Sequence, residues 1–587
     1  MNLPEQKRNY EKNPVIEMKG MEKEAFQSYE NILEELKSKK DSLNKKKTVM
    51  VLDYYHGVDE KEVYENLISK AGAVKLINIA DYKLSEEYLS DELKREITED
   101  RVFGVLSVRT IEEFFDMKKI EELKKEINEI SEGLVVVYGI GAGLIEGDIL
   151  VYADMARWEI QQRFRRKELD NWGAGNFDED VLKKYKRAFF IEWRVLDRHK
   201  KGLFQKLDYL LDTNIKNDPK MVKGDAFRAA LTQAVNQPFR LVPFFDPGVW
   251  GGQWMKEVCG LDKNQEQYAW CFDGVPEENS LKLKYGDIVV EIPSIDLVFY
   301  KPVELLGDKV HARFGTEFPI RFDFLDTMGG GNLSLQVHPL TEYIQSKFGM
   351  HYTQDESYYM LDSGDDGSVY LGTKTGVNPD ELIEEFRKAQ RGEGAFPDEK
   401  YINKFPAKKH DHFLIPAGTI HCSGKNAMIL EISATPYIFT FKLWDWGRVG
   451  LDGLPRPIHI EHGKENIQYN RNTEWVEENL INRIEKIDEG DGFREERTGL
   501  HEREFIETRR HWFSKKVLHN TYGLVNMLNL VEGEEAIIES PENKFEPYIV
   551  HYAETFIIPA NVGEYTIRPY GNSAGKEIAT IKAFVRV

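Results

Sequence analysis

The stretch "LSLQVHP" at residues 333–339 sets an amide and an imidazole two positions apart and then stops at a proline. In an extended chain alternate residues share a face, so Gln336 and His338 point the same way and Leu333, Leu335 and Val337 the other. Pro339 cannot donate to a ladder and ends the strand. Two further stretches carry polar groups at the ends of apolar strands: Glu356 opens the run in "YTQDESYYML", and His421 follows the turn in "LIPAGTIHCSG". Two imidazoles, a carboxylate and an amide oxygen form a shell for a borderline divalent ion, zinc above others, and a catalytic version keeps one position open. The same residues also fit a plainer arrangement, in which strand-end histidines are hydrogen-bonded and the polar face meets solvent. Spacing alone does not choose between the two. Glu431 in "AMILEIS" (427–433) is equally two-sided, since alternation puts it on one face with Ile429 and Ser433 but does not say whether that face lines a cavity.

The surrounding elements divide the chain. Residues 1–45 are charged and helical in pattern, ending in "KSKKDSLNKKK". From 46 to 238, short apolar strands ("TVMVLDYY", "AVKLINIA", "RVFGVLS", "GLVVVYGIGAG", "DILVYADM") alternate with amphipathic helices, which predicts a parallel α/β domain. From 239 onward strands dominate between Gly and Pro turns, with a helical inset at about 378–403 containing "NPDELIEEFRKAQRG". "HFLIPAGTIHCSG" (412–424) is echoed by "TFIIPANVGEYTI" (555–567), which predicts two related β-barrels spanning 239–494 and 495–587. Five residues past the shared proline the first copy has His421 and the second Glu564, so the site is expected in the first barrel and the second is expected to be metal-free.

Bulk properties narrow the function. At 587 residues the chain is long enough for several domains. A formal net charge of −21 speaks against nucleic acid and anionic membranes as partners. Three widely spaced cysteines without a CxxC pair exclude a disulfide framework and a thiolate zinc site. The N-terminus "MNLPEQKRNYEKN" has no signal-like apolar stretch, and no run of about 18 apolar residues occurs, so a soluble cytoplasmic protein is expected. Oligomeric state is not legible.

"GNLSLQVHP", "DESYYML", "FLIPAGTIH" and "AMILEIS" occur in the order found in type I mannose-6-phosphate isomerases, zinc enzymes of the cupin fold, and the chain resembles their Firmicute-type members. "VPFFDPGVWGGQW" and "LWDWGRVGLDGLPRPIHIEHG" resemble further segments of that family, over about residues 238–587. The resemblance implies two cupin barrels (jelly rolls), one zinc per chain held by Gln336, His338, Glu356 and His421, a small sugar phosphate as partner, and interconversion of mannose 6-phosphate and fructose 6-phosphate through an enediol. It implies Glu431 as a catalytic carboxylate. The family's arginine after that strand, which serves catalysis or phosphate binding, falls on Lys442 when aligned from "DWGR" and on Phe441 when aligned from Glu431; with a one-residue insertion Lys442 takes the catalytic and substrate-binding role, keeping the charge but lacking the bidentate fork. Arg448 is the next matched basic residue, a phosphate ligand or a structural group. Trp250 is read either as the pocket rim, for substrate, or as a core residue, which its type favours. A metal-holding sugar-binding or regulatory protein without turnover, and an isomerase of a related aldose, are the competing readings.

In the α/β domain "VVVYGIGAGL" (135–144) follows a strand, but G-x-G-x-x-G fails at Leu144 and no P-loop sequence occurs, so a structural turn is expected. "GDILVYADMARWEIQQRFRRKELDNWG" faintly resembles uridine-kinase-like domains with degenerate machinery, implying a binding, regulatory or assembly role with Asp154 and Arg157 as its most suggestive polar residues.

Overall fold

The computed structural model describes residues 9–435, 437, 439–499 and 504–587. The chain forms two compact units, one of Val15–Gln233 with Ser280–Tyr300, the other of Met1–Pro14, Ala234–Asn279 and Lys301–Val587. Sequence patterning sets its division near 238; the contact units divide at 233/234, and the segment 280–300 joins the first unit because its hairpin takes the N-terminal strand Ile16–Glu17 as a third, parallel strand.

The α/β unit is built on a seven-stranded sheet. Its parallel core has the spatial order Lys75–Asn78, Gly133–Gly139, Lys47–Tyr54, Ile149–Asp154, Tyr209–Asp212, and two antiparallel strands, Lys220–Lys223 and Ala25–Gln27, extend one edge. Near-continuous apolar runs such as "TVMVL" are buried on both faces, as a covered parallel sheet requires. The helix Met117–Glu129 buries Ile120, Leu123 and Ile127 and is capped by Asp116, whose carboxylate accepts from Lys118 N and Lys119 N. Two expectations fail here. "RVFGVLS" joins no ladder; Val102 N and Phe103 N donate to Asp100 Oδ1, Val105 N to Glu96 O and Ser107 N to Phe190 O. The N-terminal 45 residues are not helical throughout, because two strands of two and three residues precede the helix Tyr29–Ser42, too short to show alternation.

The second unit is dominated by antiparallel sheet. A six-stranded sheet has the order His412–Ile415, Glu356–Ser363, Ala427–Ser433, Arg321–Asp326, Trp270–Gly274, Phe244–Asp246. A five-stranded sheet runs Ile402–Pro406, Ser368–Thr373, His421–Ser423, Leu335–Val337, Phe441–Trp444. A further six-stranded and four-stranded pair covers residues 485–585, with a core of Phe513, Leu528, Leu530, Ile538, Phe556 and Tyr565 among others. Many antiparallel sheets beside one α/β sheet give the mixed, multidomain class that the sequence predicts. The helical inset is the helix Pro379–Gln390, with proline in its first turn and Asn378 Oδ1 accepting from Asp380 N and Glu381 N, followed by the turn Asp398–Tyr401. Buried Arg240 ties the second pair of sheets to the first: it meets Glu554 at 2.7 Å and Asp273 at 3.4 Å.

Candidate metal centre

Strand register brings the polar residues together in rows. In an antiparallel pair, directly opposed residues share a face. Across the five-stranded sheet His421 stands opposite Gln336, and Gln336 opposite Lys442, so the three form one row on one face. Across the six-stranded sheet Glu356 is opposite Ser433 and Ser433 opposite Arg321; the adjacent row is Tyr358, Glu431 and Asp323. The two faces meet at Glu356. Its Oε2 lies 3.1 Å from His338 Nε2 and its Oε1 2.8 Å from His421 Nε2.

Neither contact is a well-formed hydrogen bond: His338 Nε2 and Glu356 Oε1 are buried without a hydrogen-bond partner. The reason lies on the far side of each ring. His338 Nδ1 is 2.7 Å from Phe439 O, and His421 Nδ1 is 2.9 Å from Thr419 O. A carbonyl oxygen only accepts, so each Nδ1 carries a proton, and Nε2, the atom facing Glu356, is the one left to serve as a metal ligand. Two imidazole nitrogens and a carboxylate converging in a buried space are a set of metal-donor atoms, and a backbone carbonyl behind each imidazole is the usual orienting partner of a metal ligand. Among the described residues, His338, Glu356 and His421 form the group able to hold a metal, with ligand atoms within 4.8 Å of one another. Gln336 borders it, with its Nε2 3.2 Å from His421 Nε2; turning the amide about its last bond exchanges nitrogen for oxygen and presents a donor atom. The residues present therefore fit a divalent ion.

The electrostatics sort the carboxylates. Burial pushes the Glu356 carboxyl up, but the imidazoles of His338 and His421 outweigh it and hold it well below the usual range. Glu431 goes the other way: burial pushes it well up, and Asp323 and Glu356 push further against the pull of Arg321. Two nearby carboxyls driven in opposite directions are the pattern of an anionic ligand beside a proton-carrying group.

Three contributors escaped the sequence reading. Gln354, 3 % exposed, sets its Nε2 3.1 Å from Glu356 Oε2 and 3.4 Å from Glu431 Oε1, while its Oε1 accepts from Phe439 N. Arg321 and Asp323 flank Glu431 and pair at 3.0 Å. "RFDF" (321–324) alternates charged and apolar residues, a period-2 signal that could have marked this inward face. Lys442 belongs to the row of Gln336. Arg448 is held by Asp445, which it meets through Nη2 and, at 3.2 Å from Nε, through the backbone oxygen. Trp250 is 1 % exposed and edge-on to Trp270 at 4.7 Å between centroids, a core side chain.

In the α/β unit the glycine loop after Gly133–Gly139 is occupied from within. Gly141 N and Gly143 N donate to Asp53 Oδ1 and Oδ2 at 2.9 and 2.8 Å, and His199 Nε2 is 2.5 Å from Asp53 Oδ2. A carboxylate thus takes the amides that a phosphate would use. The space is tight: a Cβ on Gly143 would lie 2.6 Å from Asp53 Oδ2, and Gly141 has φ +94°. Asp154 is paired with Lys200 at 3.0 Å, which also meets Asp296 at 2.7 Å, and Arg157 with Asp197 at 2.5 Å. Among the described residues no helix is long and apolar enough to cross a membrane.

A family model described as a domain of unknown function, DUF8485, matches residues 28–236. The chain is 24 % identical over 334 residues to the probable mannose-6-phosphate isomerase GmuF of Bacillus subtilis, covering 57 % of this chain and 96 % of that one. It is 25 % identical over 238 residues to mannose-6-phosphate isomerase ManA of the same organism, covering 40 % and 68 %. The crystal structure of the mannose 6-phosphate isomerase from Bacillus subtilis superposes with a TM-score of 0.48 at 18 % identity, over 59 % of this chain and 99 % of that one. Over somewhat more than half of its length, then, the chain is homologous to mannose-6-phosphate isomerases, and the match to the domain of unknown function covers most of the α/β unit but not its residues 15–27 and 280–300.

Proposed function

We propose that the chain is a zinc-dependent aldose–ketose isomerase of the cupin fold, interconverting mannose 6-phosphate and fructose 6-phosphate. The observation that carries the reading is the convergence of two backbone-oriented imidazole nitrogens on Glu356, in a chain homologous to enzymes of that name. His338, Glu356, His421 and the Gln336 oxygen are the ligands. A bound divalent ion supplies Lewis acidity for the sugar carbonyl and for the charge that grows on its oxygen.

The remaining chemistry falls to side chains. Glu431, ionised, takes the proton from C2 of the open-chain aldose, the C2–H electron pair moves into the C1–C2 bond, and an enediolate forms. The same carboxyl, now neutral, returns the proton to C1 as the C2 carbonyl forms, so the hydroxyl proton moves from O2 to O1 and nothing is gained or lost. A raised pKa suits a group that must accept and release one proton near neutrality. Gln354 fixes the spacing between ligand and base, and Arg321 offsets the charge shared by Glu431 and Asp323. Lys442, in the row of Gln336, meets the substrate phosphate as a point charge. Arg448, held by Asp445, which also meets Arg456, is a structural group in this reading, and Trp250 supports the rim from the core. The α/β unit, whose glycine amides are already satisfied, is a binding or assembly module rather than a working kinase.

A coupled assay of fructose 6-phosphate formation from mannose 6-phosphate, with and without chelator, tests the proposal. Chelator-sensitive turnover with one zinc per chain supports it. Stoichiometric metal without turnover on mannose 6-phosphate or any other aldose phosphate overturns it in favour of a sugar-binding protein.

A further inference from the structure

The turn at 416–419 touches the chain at or beside every metal-type residue of the first barrel. Thr419 O accepts from His421 Nδ1 at 2.9 Å, and Gly418 N donates to the backbone oxygen of His338 at 2.9 Å. Ala417 N donates to Asp355 Oδ1, next to Glu356, at 2.7 Å. The turn is held in its own right by Arg471, a buried side chain that the sequence reading passed over. Arg471 Nη1 donates to Pro416 O and Ala417 O at 2.6 Å each and to Thr419 Oγ1 at 2.5 Å. The Thr419 hydroxyl in turn donates to Pro416 O at 2.7 Å, closing the turn on itself. The segment that carries Arg471 reaches both histidine strands: Gln468 N donates to Gly418 O at 2.9 Å, and Asn466 Oδ1 accepts from Leu340 N, two residues past His338, at 2.8 Å.

Three oxygens of one short turn crowd a single nitrogen, an arrangement that only a strong cationic donor holds together. A guanidinium is always charged, and hydrogen bonds from it are about twice as strong as neutral ones. The second copy of the motif is an internal control. Its Pro-Ala turn closes in the same way, with Val562 N donating to Pro559 O at 3.1 Å as Thr419 N does to Pro416 O at 3.2 Å. There Ala560 O, the counterpart of Ala417 O, accepts from the neutral hydroxyl of Thr521 at 2.9 Å. The turn therefore forms with a neutral donor at this carbonyl, and the charged one stands in the copy that carries the metal-type residues. We infer that Arg471 is a positioning residue of the metal site: it locks the turn 416–419, so that Thr419 O holds the His421 ring with Nε2 toward Glu356. The inference rests on the metal reading of His338, Glu356 and His421, and is independent of which sugar is turned over.

Zinc affinity, read by competition with a chromophoric chelator, and the visible spectrum of the cobalt-loaded full-length chain test it in wild type and Arg471→Met. Methionine keeps the apolar stem and removes every donor. The variant is expected to bind zinc about 10–100-fold more weakly, the scale for losing an orienting partner of a ligand, and to show altered cobalt bands. The thermal stability conferred by zinc should shrink with the affinity. A residue that served the fold alone would lower the unfolding temperature with and without metal, and would leave both readouts of the folded chain at their wild-type values. Zinc affinity within about threefold of wild type, with unchanged cobalt bands, therefore overturns the inference and leaves the metal site standing. A wild-type chain that takes up neither zinc nor cobalt overturns the metal reading, and the inference with it. Should Arg471→Met fail to fold, as judged by circular dichroism, Thr419→Val takes its place: it removes the hydroxyl that Arg471 meets and is expected to weaken zinc binding about 5-fold or more, with the same results deciding.

Discussion

Replacing Glu431 by glutamine separates the base from the ligands. The substitution keeps side-chain volume and the strand, and it removes an ionisable carboxyl from a buried row that also holds Asp323 and lies beside the row of Glu356. Loss of a positioned general base lowers kcat by about 10²–10⁴-fold. Zinc content should stay at the wild-type value, because His338, His421 and Glu356 keep their geometry and their backbone anchors. Stability should move the other way. Glu431's carboxyl is raised in the folded chain, so ionising it opposes folding: the penalty is absent below the unfolded value near 4.5 and grows as pH rises toward the folded value, at about 1.4 kcal/mol per pKa unit. Metal-free Glu431→Gln should therefore match the metal-free parent at pH 4 and exceed it at pH 7 by at least about 1 kcal/mol in chemical denaturation. Turnover within threefold of wild type would remove Glu431 from the reaction. Zinc loss in step with activity would make it a ligand. A stability gain equal at both pH values would refute the electrostatic argument even if turnover fell.

His421→Ala should lose zinc and activity together, since changing even an orienting partner of a ligand costs about 10–100-fold in affinity and this removes the ligand itself; inductively coupled plasma analysis beside the coupled assay checks it. Lys442→Ala should raise KM for a phosphorylated aldose by roughly 10-fold or more, the scale of one charged hydrogen bond, with kcat little changed; an unchanged KM removes Lys442 from the phosphate site. Asp53→Asn breaks the buried pair with His199. Burial pushes that imidazole down, but Asp53 outweighs it and the net shift is upward, so the pair's stabilisation is full below pH 6.5 and fades as pH rises through the folded value. Denaturation should show a loss of about 3 kcal/mol at pH 6 and a smaller one at pH 9; equal losses would count against a charged His199.

What the sequence revealed of the site was what alternation within one strand can carry. Gln336 with His338, and Glu431 with Ser433, are each a two-residue step, and the step survives folding because the pleat enforces it. Which face looks inward was not legible, because it depends on register between residues up to 108 positions apart, as for Gln336 against His421 and Lys442 and for Asp323 against Glu431. The atoms that fix the imidazoles, Phe439 O and Thr419 O, are backbone groups and leave no mark in residue types. In the α/β unit the alternation of strands and helices was plain, but the partner of the glycine loop was not: Asp53 reads as an ordinary strand-end residue until the parallel register brings it opposite Gly139. Short elements were missed for a simpler reason. Two or three residues, as in Ile16–Glu17 and Ala25–Gln27, contain less than one full period.

The internal echo is more informative in its mismatch than in its match. Both copies place an apolar strand, a Pro-Ala turn and a returning strand, at His412–Ile415 with His421–Ser423 and at Thr555–Ile558 with Glu564–Pro569. In the first copy the returning strand opens on buried His421 aimed at Glu356; in the second the matching Glu564 is exposed and the inward residue is Tyr565. A cation needs converging donor atoms, and the first pair of sheets supplies them by tying each Nδ1 to a carbonyl. The second pair spends one imidazole nitrogen on Glu495 and sets a lysine beside the rings, which makes cation binding there unfavourable whatever the number of histidines. Counting metal-type residues would rank the two interiors as near equals. What each ring nitrogen is tied to separates them: a backbone carbonyl behind each imidazole in the first, a carboxylate on the His511 Nε2 in the second.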